Sequence, residues 1–168
     1  MAPGTMGMMQ GIVCTVGAGA LVGLIMGTIV VYGRLPDIIV TLAFSYIWKG
    51  VALIILPSPG GYVNPEFSSF LANGGFIPPA MVIVALALLL WKLFKNTKAG
   101  LDIYAVGGNP RAAYESGLNV QRSKLLAYLV SGIFLGVGGL LLAGQISSGD
   151  PTIGASYQMN SVAAAVLG

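Results

Sequence analysis

The sequence has 168 residues, of which 56% are hydrophobic and 8% are charged, and its formal net charge is +3. Soluble domains carry about 25% charged residues, so this composition excludes an ordinary soluble protein and indicates a membrane protein. The basic residues flank apolar stretches and do not line a helix face, so the positive charge does not indicate a nucleic-acid-binding protein.

The first part of the chain predicts two membrane-spanning helices joined by a tight turn. A helix needs roughly 20 apolar residues to cross a bilayer, and residues 8–32 and 38–56 meet that requirement. Between them, Gly33 and Pro36 end the first helix and supply the bend. No Lys or Arg precedes the first apolar stretch, so it lacks the charged region of a secretory signal and is interpreted as a retained span.

The rest of the chain predicts two more spans and the beginning of another. A Pro/Gly-rich loop at residues 57–67 leads to a third span, which begins at the proline pair 78–79 and finishes near residues 91–94. Proline costs little in the first turn of a helix, because its missing N–H would be unpaired there. A fourth span covers residues 123–144, and a second polar loop at residues 145–158 precedes the opening turns of a fifth. We expect an all-α, polytopic transmembrane helical bundle with about four complete spans plus the start of a fifth, as one partial domain.

Small residues recur at four-residue spacing on the first and fourth spans. They are Gly19, Gly23 and Gly27 on the first and Gly132 and Gly136 on the fourth. This spacing places the glycines on one stripe of each helix, where a neighbouring backbone can approach closely. We interpret the two stripes as helix-packing surfaces, and a flexible gate at these glycines is the alternative.

The basic residues predict the orientation in the membrane, because Lys and Arg accumulate in cytoplasmic loops. They lie at the turn between the first two spans, or at and between the ends of the third and fourth spans: Arg34, Lys92, Lys95, Lys98, Arg111, Arg122 and Lys124. The loops at residues 57–77 and 145–160 contain none. We therefore expect the N-terminus and these two loops outside the cell, and the polar segment 95–121 in the cytoplasm.

The side chains that catalysis would need are scarce. The chain has no histidine, one cysteine and five acidic residues, so a Ser-His-Asp triad, a Cys-His pair and a His/Cys metal site are excluded within it. Because the acids lie on five different segments, a paired-carboxylate site is not favoured; they are Asp37, Glu66, Asp102, Glu115 and Asp150. Because Cys14 is the only cysteine of the sequence, it cannot form a disulfide within these residues. Its apolar neighbours predict a buried side chain. We expect no enzyme activity, no metal site and no cofactor.

Lys49 places a charge inside the second span. It follows Pro36 by about 13 residues, roughly 20 Å of helix, which is well past the midpoint of the span. A charged side chain in lipid is costly and usually faces a bundle interior or a water-filled path, and the alternative is that it extends to the external interface. Thr41 and Ser45 lie on the same helical face. Thr41, Ser45 and Lys49 are therefore a candidate polar stripe along a translocation path.

The polar stretch AVGGNPRAAYESGL, residues 105–118, contains glycines and an arginine but no phosphate-binding signature. It has neither the Gly-x-x-x-x-Gly-Lys-Ser/Thr spacing of a P-loop nor the Gly-x-Gly-x-x-Gly of a dinucleotide-binding loop. Instead, Asn109 suits an N-cap, Pro110 suits the first helical position and Gly117 suits the closing residue. These predict a helix of about seven residues, near 10 Å long. A helix this short is marginal alone and needs a packing partner.

Four stretches carry a family resemblance: IYAVGGNPRAAYESGLNV (103–120), AYLVSGIFLGVGGLLLAGQISSGDPTIGASY (127–157), SVAAAVLG (161–168) and, more weakly, LPDIIVTLAFSYIWKG (35–50). They resemble the membrane permease subunits of bacterial ABC importers for simple sugars, of the ribose, xylose, arabinose and galactose type. The subunits of that family are longer than this chain. The resemblance therefore implies a partial permease domain in a bacterial cytoplasmic (inner) membrane.

The resemblance also implies a mechanism shared among several chains. A coupling helix in the cytoplasmic segment 95–121 would dock on a separate ABC ATPase subunit, through Gly107, Gly108, Asn109, Pro110, Arg111, Ala112, Ala113, Tyr114, Glu115, Ser116 and Gly117. The permease would then not be an enzyme itself. Two permease chains, as a homodimer, would form the translocation path, and a periplasmic sugar-binding protein would deliver the ligand. ATP-driven closure of the ATPase dimer would reorient the spans by alternating access.

Other functions stay open at this stage. A branched-chain amino-acid permease of the same importer class shares the fold and the coupling segment. A self-contained channel or secondary carrier would need no ATPase partner. An intramembrane enzyme would need a pair of convergent acids or a catalytic dyad, and the sequence contains no visible example of either.

Overall fold

A computed structural model describes residues 5–61, 68 and 79–167 of the chain. These residues form seven α-helices: α1 (Thr5–Gly33), α2 (Asp37–Ile55), α3 (Pro79–Lys95), α4 (Lys98–Gly108), α5 (Pro110–Glu115), α6 (Val120–Ile146) and α7 (Gly154–Leu167). Extended pairing within the same residues is limited to one antiparallel bridge between Gly60 and Gly149. The all-α fold class is therefore confirmed.

Three of the described helices are long and apolar enough to cross a membrane. They are Met9–Gly33 within α1, Asp37–Ile55 and Val120–Ile146, and they correspond to the first, second and fourth predicted spans. The place of the third span is taken by α3, whose 17 described residues make about 26 Å of helix. That is slightly short of a hydrocarbon core of about 30 Å. The predicted first turn at Pro78 and the loop acid Glu66 lie outside the described residues.

The polar segment 95–121 contains a helix that the sequence did not predict, α4. Its first turn is capped by Thr97, whose side-chain oxygen accepts a hydrogen bond from the Gly100 N–H at 3.2 Å. Gly107 and Gly108, which the resemblance assigns to the docking segment, belong to the last turn of α4. The segment is therefore two helices in succession, not a loop with a single short helix. A threonine N-cap ahead of Lys98 was the signal that could have located the start of α4.

The second polar loop is shorter than predicted, because α7 begins at Gly154 and makes the last part of the expected loop 145–158 helical. Just before α7, the Asp150 carboxylate accepts hydrogen bonds from the Thr152 hydroxyl at 2.6 Å and from the Thr152 N–H at 2.7 Å. The Thr152 side chain, and after it the Thr152 N–H, lower the pKa of Asp150 below its usual value. An ionised Asp150 thus closes a local turn that leads into α7.

The helices α1 and α6 cross in direct backbone contact along the glycine stripes. A Cβ added at Gly19 would meet the carbonyl oxygen of Gly132. At Gly23 it would meet the carbonyl oxygen of Tyr128 and would lie 3.1 Å from the Gly132 Cα. Only residues without a side chain allow two helix backbones to approach this closely.

The ends of the stripes are packed in the same way. A Cβ at Gly27 would lie 2.8 Å from the Tyr128 Cβ, and one at Gly136 would lie 2.9 Å from the Val16 Cα. On the same helix α1, Cys14 is exposed within the described chain, so the expectation of a buried cysteine is wrong. Apolar neighbours in the sequence do not bury a residue on a membrane helix, because its outer face is apolar as well.

Two contacts assign the connecting segments to the two ends of the helices. At one end, the Lys124 Nζ lies 3.6 Å from the Asp37 Oδ2, which joins the start of α6 to the start of α2. At the other end, Gly60 and Gly149 exchange two backbone N–H···O hydrogen bonds of 3.0 and 2.9 Å. The basic residues predict the same grouping, because the Arg34 turn and the polar segment 95–121 belong at one end of the helices and the two loops without Lys or Arg belong at the other. Which end faces the cytoplasm stays a prediction.

Candidate functional site

The start of α5 is fixed by its first two residues. Asn109 has an extended backbone, and its Oδ1 accepts hydrogen bonds from the N–H groups of Arg111 and Ala112, both at 3.1 Å. Pro110 follows as the first helical residue, where it loses no helix hydrogen bond. The cap satisfies two N–H groups that would otherwise have no partner. Both residues act as the sequence predicts.

The end of α5 is fixed by Gly117. This residue has φ +83, and its N–H donates to the Tyr114 carbonyl at 2.9 Å while the Leu118 N–H donates to the Ala113 carbonyl at 3.0 Å. This pair of bonds is a Schellman motif, and it depends on a left-handed residue that glycine supplies without strain. The helix has six residues, Pro110–Glu115, slightly fewer than predicted.

Most of the α5 surface is exposed. Arg111 and Glu115 form an ion pair of 3.4 Å along the helix, with side chains 91% and 67% exposed. Tyr114 between them is exposed as well. Ala113 is the exception, since it is 5% exposed and turned towards the rest of the chain. The helix is thus held by its caps and a small apolar contact, and it presents Arg111, Tyr114 and Glu115 outward.

The predicted docking segment, residues 107–117, falls into three structural parts. Gly107 and Gly108 form the exposed end of α4. The capped helix α5 follows, and then a closing turn in which the Ser116 hydroxyl donates to the Ala112 carbonyl at 2.8 Å. Beside α5 lies an open hollow of about 770 Å³, lined by residues between Tyr114 and Gln121. The arrangement is a small projecting helix next to a concave surface.

The polar stripe of α2 lies where the helix meets α7. Thr41, Ser45 and Lys49 are all partly buried. The Thr41 hydroxyl hydrogen-bonds carbonyl oxygens one turn earlier in its own helix, at 3.0 and 3.1 Å. The Ser45 hydroxyl oxygen also accepts a hydrogen bond from the Gln158 Nε2 at 3.1 Å. Ser45 is therefore the member of the stripe that connects two helices.

Two cavities adjoin this stripe. The larger, of about 500 Å³, is an open cavity lined by residues of α1, α2, α6 and α7, among them Thr41 and glycines of both stripes. The smaller, of about 250 Å³, contains Lys49 together with residues between Pro151 and Met159. Ser45 lines both cavities. The structure therefore brings Thr41 and Ser45 to one cavity and Ser45 and Lys49 to the next.

Further polar residues line these cavities and were not assigned to the path from the sequence, among them Trp48, Tyr128, Ser131 and Gln158. Gln158 pairs with Ser45 across 113 positions, and no local pattern predicts such a pair. Trp48 lines the larger cavity, and its Nε1 is buried without a hydrogen-bond partner in the part of the chain that the structure describes. The signal for Trp48 was its position one residue before the intramembrane lysine, on a span that otherwise has few polar side chains.

The acidic residues do not converge. Asp37 pairs with Lys124, Glu115 pairs with Arg111, and Asp150 bonds within its own turn. Among residues 5–61, 68 and 79–167, no group of three His, Cys, Asp or Glu side chains is placed to hold a metal ion. The candidate site is thus a helix surface and a pair of cavities.

One protein-family model, described as "Branched-chain amino acid transport system / permease component", matches residues 1–168. The chain belongs to this permease family. Permease components of such importers are not enzymes themselves.

Curated relatives of this permease chain carry the names of sugars. The galactose/methyl galactoside import permease protein of Salmonella typhimurium is 36% identical over 167 residues, covering 94% of this chain and 49% of that protein. The ribose import permease protein of Bacillus subtilis is 36% identical over 148 residues, covering 84% of this chain and 46% of that protein. The ribose import permease protein of Escherichia coli is 31% identical over 157 residues, covering 89% of this chain and 49% of that protein.

The permease chain spans about half the length of the curated relatives it matches. No solved structure matches it significantly.

Proposed function

We propose that the chain is part of a permease subunit of an ATP-driven importer and forms part of the translocation path for a simple sugar. The observation that carries the proposal is its similarity, over 84–94% of its length, to import permeases named for galactose and ribose. Coupling to a separate ATPase would drive alternating access. The nucleotide site lies on the partner in this proposal, since the chain has no P-loop.

The ATPase docks on α5 in this proposal. A helix of six residues held by an N-cap, a Schellman turn and one buried alanine has little stability of its own. Its exposed face includes a large aromatic residue, Tyr114, and an arginine, Arg111, which are residue types enriched at protein interfaces. A groove on the ATPase would bury this face, and movement of the groove would pull on α4 and α6, which α5 joins.

The sugar moves past α2 in this proposal. Thr41, Ser45 and Lys49 are polar groups on a mostly apolar helix, and two open cavities adjoin this stripe. Polar side chains inside membrane helices are costly and mark substrate pathways. Lys49 lines the smaller cavity together with residues of the loop and helix that follow Asp150. At this place its side chain can line the translocation path and also extend its charged group to the external membrane interface.

The remaining partners follow from the same proposal. A second permease chain, most simply a second copy, completes the path, and a periplasmic sugar-binding protein delivers the ligand to the segments that contain Gly60 and Gly149. The permease lies in a bacterial inner membrane as a multi-pass protein. Its N-terminus and these two segments face outward, and residues 95–121 face the cytoplasm, as the basic residues predict.

A branched-chain amino-acid importer is the second candidate, because the matching family model is described in those words. An assay with both substrate classes separates the two candidates. The complete permease is purified with its ATPase and inserted into lipid vesicles with the binding protein present, and uptake of labelled galactose, ribose and leucine is measured with and without ATP. We expect ATP-dependent uptake of a sugar. Uptake of leucine alone would support the amino-acid function.

A version of the same assay without the ATPase tests a self-contained channel or carrier. Sugar uptake by the permease alone, without ATP, would contradict the importer proposal. An ATPase variant that binds but does not hydrolyse ATP is the matched control, because it keeps the complex assembled while the energy source is removed.

A further inference from the structure

Ser45 and Gln158 mark the junction of the two cavities on α2. Both residues line the larger and the smaller cavity, and the Gln158 Nε2 donates to the Ser45 Oγ at 3.1 Å. Gln158 is partly buried on α7, and Ser45 is partly buried on α2. This contact is therefore a polar bridge between two helices at the point where one cavity meets the next.

Trp48 adds a hydrogen-bond donor that has no acceptor among the described residues. It lies one helical turn after Ser45 on α2 and lines the larger cavity. Its Nε1 is buried and unpartnered among the residues that the structure describes. A buried indole N–H usually has a partner, because leaving it unpaired in an apolar environment is costly. The Nε1 atom has almost no accessible surface, so the indole has to turn towards the cavity before a ligand there accepts from this donor.

The side chains that line the larger cavity favour an uncharged ligand. It contains hydroxyl, amide and indole groups but no Lys, Arg, Asp or Glu. An amino-acid ligand would bring an ammonium and a carboxylate that find no counter-charge there. A sugar hydroxyl both donates and accepts hydrogen bonds, so it can accept from Trp48 while it pairs with Ser45 or Gln158. The volume of about 500 Å³ lies within the usual range for small-molecule sites.

We propose that Ser45, Trp48 and Gln158 form a binding site for a neutral, polyhydroxylated ligand at the junction of the two cavities. A sugar that enters from the smaller cavity replaces the Ser45–Gln158 hydrogen bond with bonds to its own hydroxyls and provides the acceptor for the Trp48 N–H. The exchange lets the ligand pass without leaving a buried polar group unpaired. This inference rests on the proposed function, and it adds Trp48 and Gln158 to the path residues of the polar stripe.

The test uses the complete importer in vesicles and compares uptake of the transported sugar with uptake of its monodeoxy analogues. Trp48→Phe keeps an aromatic ring and removes only the N–H donor. We expect it to reduce uptake of the parent sugar about fivefold, as for loss of one hydrogen bond. The analogue that lacks the contacted hydroxyl should be unaffected. Because the binding protein is the same in every assay, its own selectivity cancels between variants.

Gln158→Leu provides a second, independent variant, and Trp91→Phe and Ser156→Ala are the controls. Trp91 lines a separate apolar cavity, and Ser156 is an exposed residue of α7 whose hydroxyl bonds only the Ile153 carbonyl. ATP hydrolysis and co-purification with the ATPase report whether each variant is assembled.

Two outcomes would contradict the site while the importer function stands. In the first, assembled Trp48→Phe and Gln158→Leu importers keep the parent uptake. In the second, they lose uptake equally for every analogue. If the unmodified importer moves no sugar, the proposed function itself fails.

Discussion

Gly23 of α1 and Gly132 of α6 lie so close together that a Cβ on Gly23 would be 3.1 Å from the Gly132 Cα. Within lipid the hydrophobic effect does not drive helices together, and close packing of small residues is a main source of their association. Both glycines also line the larger cavity. The packing of α1 on α6 therefore sets the wall of the candidate path.

Gly23→Ala should destabilise the permease by about 1–3 kcal/mol, because the added methyl meets backbone atoms of α6 that cannot move independently. The measurement is the thermal stability of the complete permease in detergent, which should fall. Gly17→Ala on α1 and Gly138→Ala on α6 are matched controls, since nothing lies within 4 Å of either added Cβ. Alanine favours the helix at both positions. A loss at Gly17 as large as that at Gly23 would show that packing against α6 is not the cause.

The sequence predicted the glycine packing surface on each of the two helices and the all-α fold, because glycine spacing and apolar length are local patterns, but it did not predict that the two surfaces pack on each other. The same patterns failed in the polar segments. α4 was missed because Gly107 and Gly108 are weak helix residues, although both belong to its last turn. The early start of α7 was missed because the turn between Asp150 and Thr152, which leads into the helix, is made by side-chain hydrogen bonds.

Gly117→Ala should weaken the docking helix, because φ +83 at this position is left-handed and costs an alanine about 1–2 kcal/mol. Asn109→Ala should cost about 0.5–2 kcal/mol through loss of the N-cap. The readout is the amount of ATPase that co-purifies with the complete permease, and both variants should reduce it. Gly138→Ala on α6 is the control, since it lies outside the docking segment 107–117 and its Cβ would meet nothing within 4 Å among the residues that the structure describes. Equal losses in all three variants would point to a general folding defect.

Arg111→Glu should reduce ATPase binding without unfolding the permease. The Arg111–Glu115 pair is highly exposed, and such pairs contribute about 0.2–0.5 kcal/mol to a helix. A large loss of co-purification would therefore come from the surface of α5 and not from its stability. Arg122→Glu, an exposed arginine in the first turn of α6, controls for the change of charge. If neither variant affects co-purification, docking through Arg111 is wrong.

The candidate path could be predicted only in part. Thr41, Ser45 and Lys49 share a helix face by spacing alone, so a stripe was visible in the sequence. The structure divides it between two cavities, because α7 crosses α2 at Ser45 and brings Gln158 there from 113 positions away. The unpaired Trp48 N–H was also beyond the sequence, since burial of a single atom depends on the packing of neighbouring helices.

The orientation is open to a direct test by cysteine labelling. Cys14 is the one cysteine of this 168-residue sequence, so a background in which Cys14 and any cysteine of the rest of the permease are replaced by serine leaves each introduced thiol unique. We expect Ser148→Cys to react with a membrane-impermeant reagent from outside intact cells, because the second polar loop carries no Lys or Arg. Ser116→Cys, at the exposed end of α5, should react only after the membrane is opened. The two positions lie in segments that the Gly60–Gly149 bridge and the Lys124–Asp37 pair assign to opposite ends. Labelling of Ser148→Cys only from the cytoplasmic side would invert the topology and would remove α5 from the reach of a cytoplasmic ATPase.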